Sequence, residues 1–276
     1  MIKIFDGYTL ISDFDGTIFS HKNMEIPKVN LKALERFRAL GGQFILATGR
    51  SVESARRYAG MVGANLPCVL YNGAALYDYE AETFIYKETI NRDEVLSFFE
   101  ELKEKFPDVG MEIAAPGQHF MITRTEYSEE HAGNEILGYI DTNLAGTAPQ
   151  WLKALTSGMP DDIENVHQYA LANLPQCLRV TKSSDYFCEF IAKDCNKFAA
   201  AKRLMVMLNL HPRKTCGIGD YYNDLELFRD SWAGAVPSGA PEGVRALAPH
   251  TVCSCEDGAL AEFIEYIEQK IIKGDI

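Results

Sequence analysis

Two aspartates one residue apart, Asp13 and Asp15, stand just beyond the apolar run 8–12 in the stretch ISDFDGTIFS, with Gly16 and Thr17 directly behind them. Side chains two apart on a strand point to the same side, so these carboxylates repel each other unless a cation lies between them. Core strands seldom end in adjacent unpaired acids, and the repulsion points to chemistry rather than packing. Comparable residues follow other short apolar runs: Thr48, Gly49 and Arg50 at the end of 43–47, Asn72 and Gly73 after 68–71, and Gly219, Asp220, Asn223 and Asp224 after 215–218. Open parallel sheets collect ligands beyond the carboxyl ends of their strands, so all of these are expected at one edge. Carboxylates, hydroxyls, an arginine and glycines form a hard-oxygen set suited to Mg²⁺, which keeps several waters and binds a few carboxylates together with a substrate phosphate. An EF-hand calcium loop is opposed by Thr17 and Ile18, which stand where that loop needs a further oxygen ligand and a glycine. A bare Asp-x-Asp pair also serves sugar-nucleotide transferases, and the second acidic cluster, Asp220 with Asp224, adds weight to the phosphate reading.

Positioning such residues takes a sheet. The runs at 8–12, 43–47, 68–71, 215–218 and 233–236 are each followed by a polar turn and a helical pattern, which predicts parallel strands covered by helices. Leu31, Leu34, Phe37 and Leu40, and again Leu260, Phe263, Ile264, Ile267 and Ile271, recur at helical spacing and are read as core. Between about 79 and 190 the pattern changes. VGMEIAAPGQHFMITRT and CLRVTKSSDYFCEFIAK read as hairpins, and helical stretches at 93–105, 128–141 and 161–172 separate the strand-like segments. The expectation is an α/β core interrupted by an inserted α+β module. A chain of 276 residues, 47% hydrophobic, can bury two unequal cores. Its net charge of −12 opposes nucleic acid or an anionic membrane surface as partner, leaving a small molecule. Seven cysteines without metal-site or disulfide spacing read as buried thiols, and with no signal peptide or membrane-length apolar run we expect a soluble cytoplasmic protein.

DFDGT at 13–17, ATGR at 47–50, NGA at 72–74, Lys197 and GDYYND at 219–224 resemble, in order and spacing, the haloacid dehalogenase superfamily. The NGA element, the long insertion after it and APEGVRALA at 240–248 are similar to the Cof-like subgroup. The resemblance covers nearly the whole chain, with specific motifs in the core and only size and coarse pattern in the insertion. It implies a Rossmann-like parallel-sheet core at 1–78 and 191–276, and an α+β cap at 79–190. It makes Asp13 the nucleophile that forms an aspartyl-phosphate, and Asp15 the acid that protonates the leaving group and then the base that activates water. Mg²⁺ would be held by the Asp13 carboxylate, the Asp15 main-chain carbonyl and Asp220. Thr48 would hydrogen-bond a phosphoryl oxygen and Lys197 would add positive charge, in a phosphate or substrate site that also includes Gly16, Thr17, Gly49, Arg50 and Asn223. Asn223 and Asp224 would orient Asp220, Lys197 or a metal-bound water.

This chain departs from the family pattern in places. Phe198 replaces the glycine often found after the lysine, Gly239 stands at an asparagine position, and Tyr221 and Tyr222 are bulkier than usual. Asp15 itself excludes two branches, since halide-displacing relatives lack an acid there and transport ATPases carry threonine. The resemblance implies a Mg²⁺-dependent phosphatase of small phosphorylated metabolites, with sugar phosphates leading. A phosphomutase or phosphotransferase is the nearest alternative, and a non-catalytic phosphoacceptor or phosphometabolite sensor a more distant one. Thr48-Gly49 and Asn72-Gly73 also read as ordinary turns, and an exposed helical lysine is the plain alternative for Lys197, with Lys193 and Lys202 competing for its place. His119, Arg124 and Arg179, in predicted strands of the insertion, receive no role.

Overall fold

In the computed structural model, which describes residues 3–135, 138–211 and 214–274, apolar runs from the two ends of the chain lie side by side. The first part forms β1 (Thr9–Ser12), α1 (Lys28–Ala39), β2 (Gln43–Leu46), α2 (Val52–Met61), β3 (Cys68–Leu70), β4 (Ala75–Asp78) and β5 (Thr83–Lys87). The middle forms β6 (Ile90–Asn91), α3 (Arg92–Lys105), β7 (Gly110–Ala115), β8 (Gln118–Thr123), α4 (Glu126–Glu135), β9 (Tyr139–Asp141), β10 (Gln150–Trp151), β11 (Lys153–Ser157), α5 (Pro160–Asn173), β12 (Leu178–Ser184) and β13 (Phe187–Ala192). The last part forms α6 (Lys197–Met207), β14 (Thr215–Ile218), α7 (Leu225–Arg229), β15 (Ala233–Pro237), α8 (Glu242–Arg245), β16 (Thr251–Val252) and α9 (Ala259–Lys273).

The core sheet runs β16-β15-β14-β1-β2, every pair parallel. Its strands are apolar on both faces because both faces are covered, as a parallel sheet requires. Leu10 and Phe44 join Leu34 and Phe37 of α1 and Phe263 and Ile267 of α9. The alternate residues, Ile11 and Ile45, join Phe198, Leu204 and Met205 of α6. The third apolar run behaves differently. It meets β2 only through the parallel bridge Ala47–Val69, and β3 otherwise pairs antiparallel with β4, and β4 with β5. Residues 83–87 therefore extend the sheet that carries NGA, and Ile85 and Tyr86 pack beside α6.

The middle segment is a second sheet, ordered β12-β13-β11-β7-β8-β9 and antiparallel except for β8 with β9. Val95, Phe98 and Phe99 of α3 and Ile163 and Val166 of α5 pack with Ile113, Trp151 and Phe190. The β7–β8 turn is Pro116-Gly117, and Gly117 at φ +76° takes a conformation that tight hairpin turns demand. The helix expected at 128–141 is corrected at its end: α4 is described over Glu126–Glu135, residues 136 and 137 lie outside the described residues, and Tyr139–Asp141 form a strand paired in parallel with 119–121. Tyr139 and Ile140 favour a strand, and the Tyr139 hydroxyl, donating to Glu112 Oε2 at 2.6 Å, ties the strand down. Among the described residues no helix is long and apolar enough to cross a membrane.

Candidate active site

Beyond Ser12, Asp13 N–H donates to the Ile218 carbonyl at 2.9 Å, so the first aspartate enters the site on the same ladder that pairs β1 with β14. Lys197, the first residue of α6, comes to meet it. The helix is set by Asn196, whose side chain accepts from Ala199 N–H at 2.7 Å. Lys197 Nζ donates to Asp13 Oδ1 at 2.5 Å and to Asp224 Oδ1 at 2.7 Å, and the lysine is 1% exposed. Oxygens of Asp13, Asp220 and Asp224 lie within 4.8 Å of one another. Burial and the neighbouring Asp224 push the Asp13 carboxyl up to about 7 against the pull of Lys197. Burial and Asp13 likewise raise Asp220 well above the usual carboxylate range. Burial works against charge on Lys197, but Asp13 and Asp224 outweigh it and hold the ammonium protonated.

One lysine among three carboxylates leaves negative charge uncompensated, and the donor set fits a hard divalent ion. Asp224 is already engaged: Oδ1 by Lys197, Oδ2 by the N–H groups of Asp220 and Tyr221 at 3.2 and 3.4 Å. Among the described residues no donor reaches the Asp220 carboxylate or the Asp15 main-chain carbonyl. The buried Asn223 Oδ1 is unpartnered as well. Gly16, at φ +74°, leaves room for Asp220, since a Cβ there would lie 2.2 Å from Asp220 Oδ2.

Arg50, beyond the end of β2, grips the second aspartate. Its Nε and Nη2 donate to Asp15 Oδ2 and Oδ1, each at 2.8 Å, and His21 Nε2 lies 3.2 Å from Oδ1. Burial alone would raise the Asp15 carboxyl, but His21 and Arg50 outweigh it and hold the group well below the ordinary range. Thr48 Oγ1 accepts from Arg50 N–H at 3.2 Å on the cavity wall, while Thr17 is fully buried with its hydroxyl unpartnered.

A cavity of about 190 Å³ opens above these groups, walled by Asp13, Asp15, Thr48, Lys197, Asp220 and Asn223 below and by residues of the second sheet and α4 above. The upper wall is tied to the lower by a buried polar chain. Lys153 Nζ donates to Glu189 Oε2 at 2.8 Å and to the Gly49 carbonyl at 2.9 Å. Asn72 Nδ2 donates to Glu189 Oε2 at 2.8 Å, and Asn72 Oδ1 accepts from Asn223 Nδ2 at 3.1 Å. The NGA turn is thus a junction. Gly73, at φ +100°, allows this close approach, because a Cβ would meet the Asn196 carbonyl at 2.3 Å.

His21, Glu135, Lys153 and Glu189 were not anticipated from the sequence. The usable signal was charge within otherwise apolar strands, as in KALTS and FCEFIA. His119 lies 3.3 Å from Glu53, Arg124 pairs with Asp141 at the surface, and Arg179 pairs with Glu226. None of these three lines the cavity above the carboxylates. Tyr221 donates to Asp185 at 2.6 Å, and Tyr222 packs beside Phe228 and Val244, so neither tyrosine lines it either.

The profile of the family described as haloacid dehalogenase-like hydrolase matches residues 10–264. Pyridoxal phosphate phosphatase YbhA of Escherichia coli (strain K12) is 24% identical over 273 residues, covering 91% of this chain and 95% of that protein. A solved haloacid dehalogenase-like hydrolase from Bacteroides thetaiotaomicron superposes with a TM-score of 0.79 at 22% identity, covering 94% of this chain and 99% of its own. A solved subclass IIB sugar phosphatase of the superfamily reaches a TM-score of 0.81 at 19% identity, with 94% and 98% covered. These two structures share the fold, inserted sheet included. With a profile match running through both halves of the core and the insertion between them, the chain belongs to the haloacid dehalogenase-like hydrolase family.

Proposed function

We propose that this protein is a Mg²⁺-dependent phosphatase of small phosphorylated metabolites, sugar phosphates foremost, working through a phosphoaspartate at Asp13. The observation that carries this reading is the buried cluster in which Lys197 is shared by Asp13 and Asp224 while Asp220 stands beside them without a donor. Mg²⁺ held by the Asp13 and Asp220 carboxylates and the Asp15 carbonyl would supply positive charge to the phosphoryl oxygens. With Lys197 on Oδ1, Asp13 has Oδ2 to attack phosphorus as the bond to the leaving oxygen breaks. Asp15, which Arg50 and His21 hold as the carboxylate before substrate enters, must first take up a proton as substrate binds; it gives that proton to the leaving oxygen, then takes one from the water that displaces Asp13 and releases inorganic phosphate. Lys197 and the Thr48 hydroxyl stabilise the charge spread over the transferred group. The cavity of about 190 Å³, mixing donors and acceptors on its upper wall, suits a small polar leaving group. Relatives described as a pyridoxal phosphate phosphatase and a sugar phosphatase support the same substrate range.

Phosphate release from a panel of phosphorylated metabolites, with and without Mg²⁺, tests this. The expected result is metal-dependent release that falls by about a thousandfold or more in Asp13→Asn. Undiminished release by that variant contradicts the reading, and an isomerised sugar phosphate without free phosphate replaces it with a mutase.

A further inference from the structure

Resting on the phosphatase reading, we propose that Glu135, on α4 of the inserted module, is a positioning residue for Asp15 that acts through Arg50. The Arg50 fork is shared by carboxylates from two parts of the chain: Nε and Nη2 hold Asp15, while Nη1 reaches Glu135 Oε1 at 3.1 Å and Ser54 Oγ at 2.8 Å. The Arg50 and Glu135 side chains are each 10% exposed, and the guanidinium lies 5.5 and 5.0 Å from the rings of Phe14 and Tyr58. A planar fork confined this way has little rotational freedom, so a partner on Nη1 sets the direction of the N–H groups on Asp15.

Helix α4 is otherwise a surface helix, with only Ser128 and Glu135 buried. Glu135 is the last residue described in it, and its buried side chain meets a cation there, Arg50. Asp15 has to serve first the leaving oxygen and then the incoming water, and its two oxygens follow the fork that holds them. Seating α4 over the cavity therefore aligns the acid, and displacing α4 releases it.

The test is kcat/KM with Mg²⁺ for 4-nitrophenyl phosphate, phenyl phosphate and glycerol 2-phosphate in wild type, Glu135→Ala and Glu135→Gln. Nitrophenolate departs without a proton, whereas a glycerol alkoxide needs one. Glu135→Ala is expected to lower the value for glycerol 2-phosphate about tenfold or more and that for the nitrophenyl ester by less than about threefold. Glu135→Gln keeps an acceptor oxygen and the side-chain volume, so it recovers part of the loss and carries the test should the alanine variant fold poorly. An equal change for all three esters, or no change for any, overturns the proposal. Absence of metal-dependent hydrolysis by the wild type would instead overturn the phosphatase reading beneath it.

Discussion

Lys197 is held between acids whose repulsion it relieves, and removing it exposes how much the site depends on that one charge. Lys197→Met leaves Asp13, Asp220 and Asp224 facing one another, and should destabilise the metal-free protein by about 3–5 kcal/mol in denaturant unfolding. Added Mg²⁺ should restore more stability to this variant than it adds to wild type; equal increments would show that the lysine and the metal do not share these carboxylates. Gly16 offers a controlled comparison with Gly117. Both have positive φ, but a Cβ at Gly16 strikes the Asp220 carboxylate whereas a Cβ at Gly117 meets nothing within 4 Å. Alanine at either position should lower stability by about 1–3 kcal/mol through backbone strain, and only Gly16→Ala should also lose Mg²⁺ affinity by titration calorimetry. Equal affinities in the two variants would remove Asp220 from the metal set. Asp13, Gly16, Asp220 and Asp224 were legible because each belongs to a short motif at a strand end, whereas Lys197, at the start of α6, was placed only by the family resemblance. Glu135 was not, because 85 residues of chain separate it from the Arg50 it touches.

At the scale of elements, strands β7, β8, β12 and β13 could be read from alternation and turn residues, as could the helices at either end of the chain. Residues 139–141 could not, because their helix-like spacing was outweighed by pairing of β9 against β8, a partner supplied only by the folded sheet. The same reason hid the upper wall of the cavity. A strand residue faces one side or the other, and only the assembled sheet decides that Lys153 and Glu189 point inward. Burial would raise the Glu189 carboxyl, but Lys153 outweighs it and lowers the group from its ordinary value of 4.5. A carboxyl that binds its proton more weakly when folded stabilises the protein above the unfolded value, and that contribution is lost as pH falls through the lower folded value. The stability difference between wild type and Glu189→Gln should therefore be largest near about pH 7 and shrink below about pH 4; a difference that is constant across this range would detach Glu189 from the ion pair.

Across the whole molecule, a parallel sheet collects the acids at one edge and an inserted sheet closes over them. The two are joined by charged and polar pairs: Glu135 with Arg50, Arg179 with Glu226, Tyr221 with Asp185, and Lys153 with the Gly49 carbonyl. Polar junctions of this kind can open to admit substrate and release phosphate. The parallel core with its inserted sheet was foreseen because motif order and strand pattern agreed, whereas the pairs that join them depend on three-dimensional placement alone. As a phosphatase of the kind proposed, the assembly works through one bond, between Asp13 and phosphorus. The most direct measurement is to quench the enzyme in acid during turnover of 4-nitrophenyl phosphate with Mg²⁺ and locate any phosphoryl group by peptide mass spectrometry. The expected result is a phosphoryl group on the peptide containing Asp13, absent from Asp13→Asn; steady turnover with that peptide unmodified, or with the group on another residue, would contradict a phosphoaspartate at Asp13.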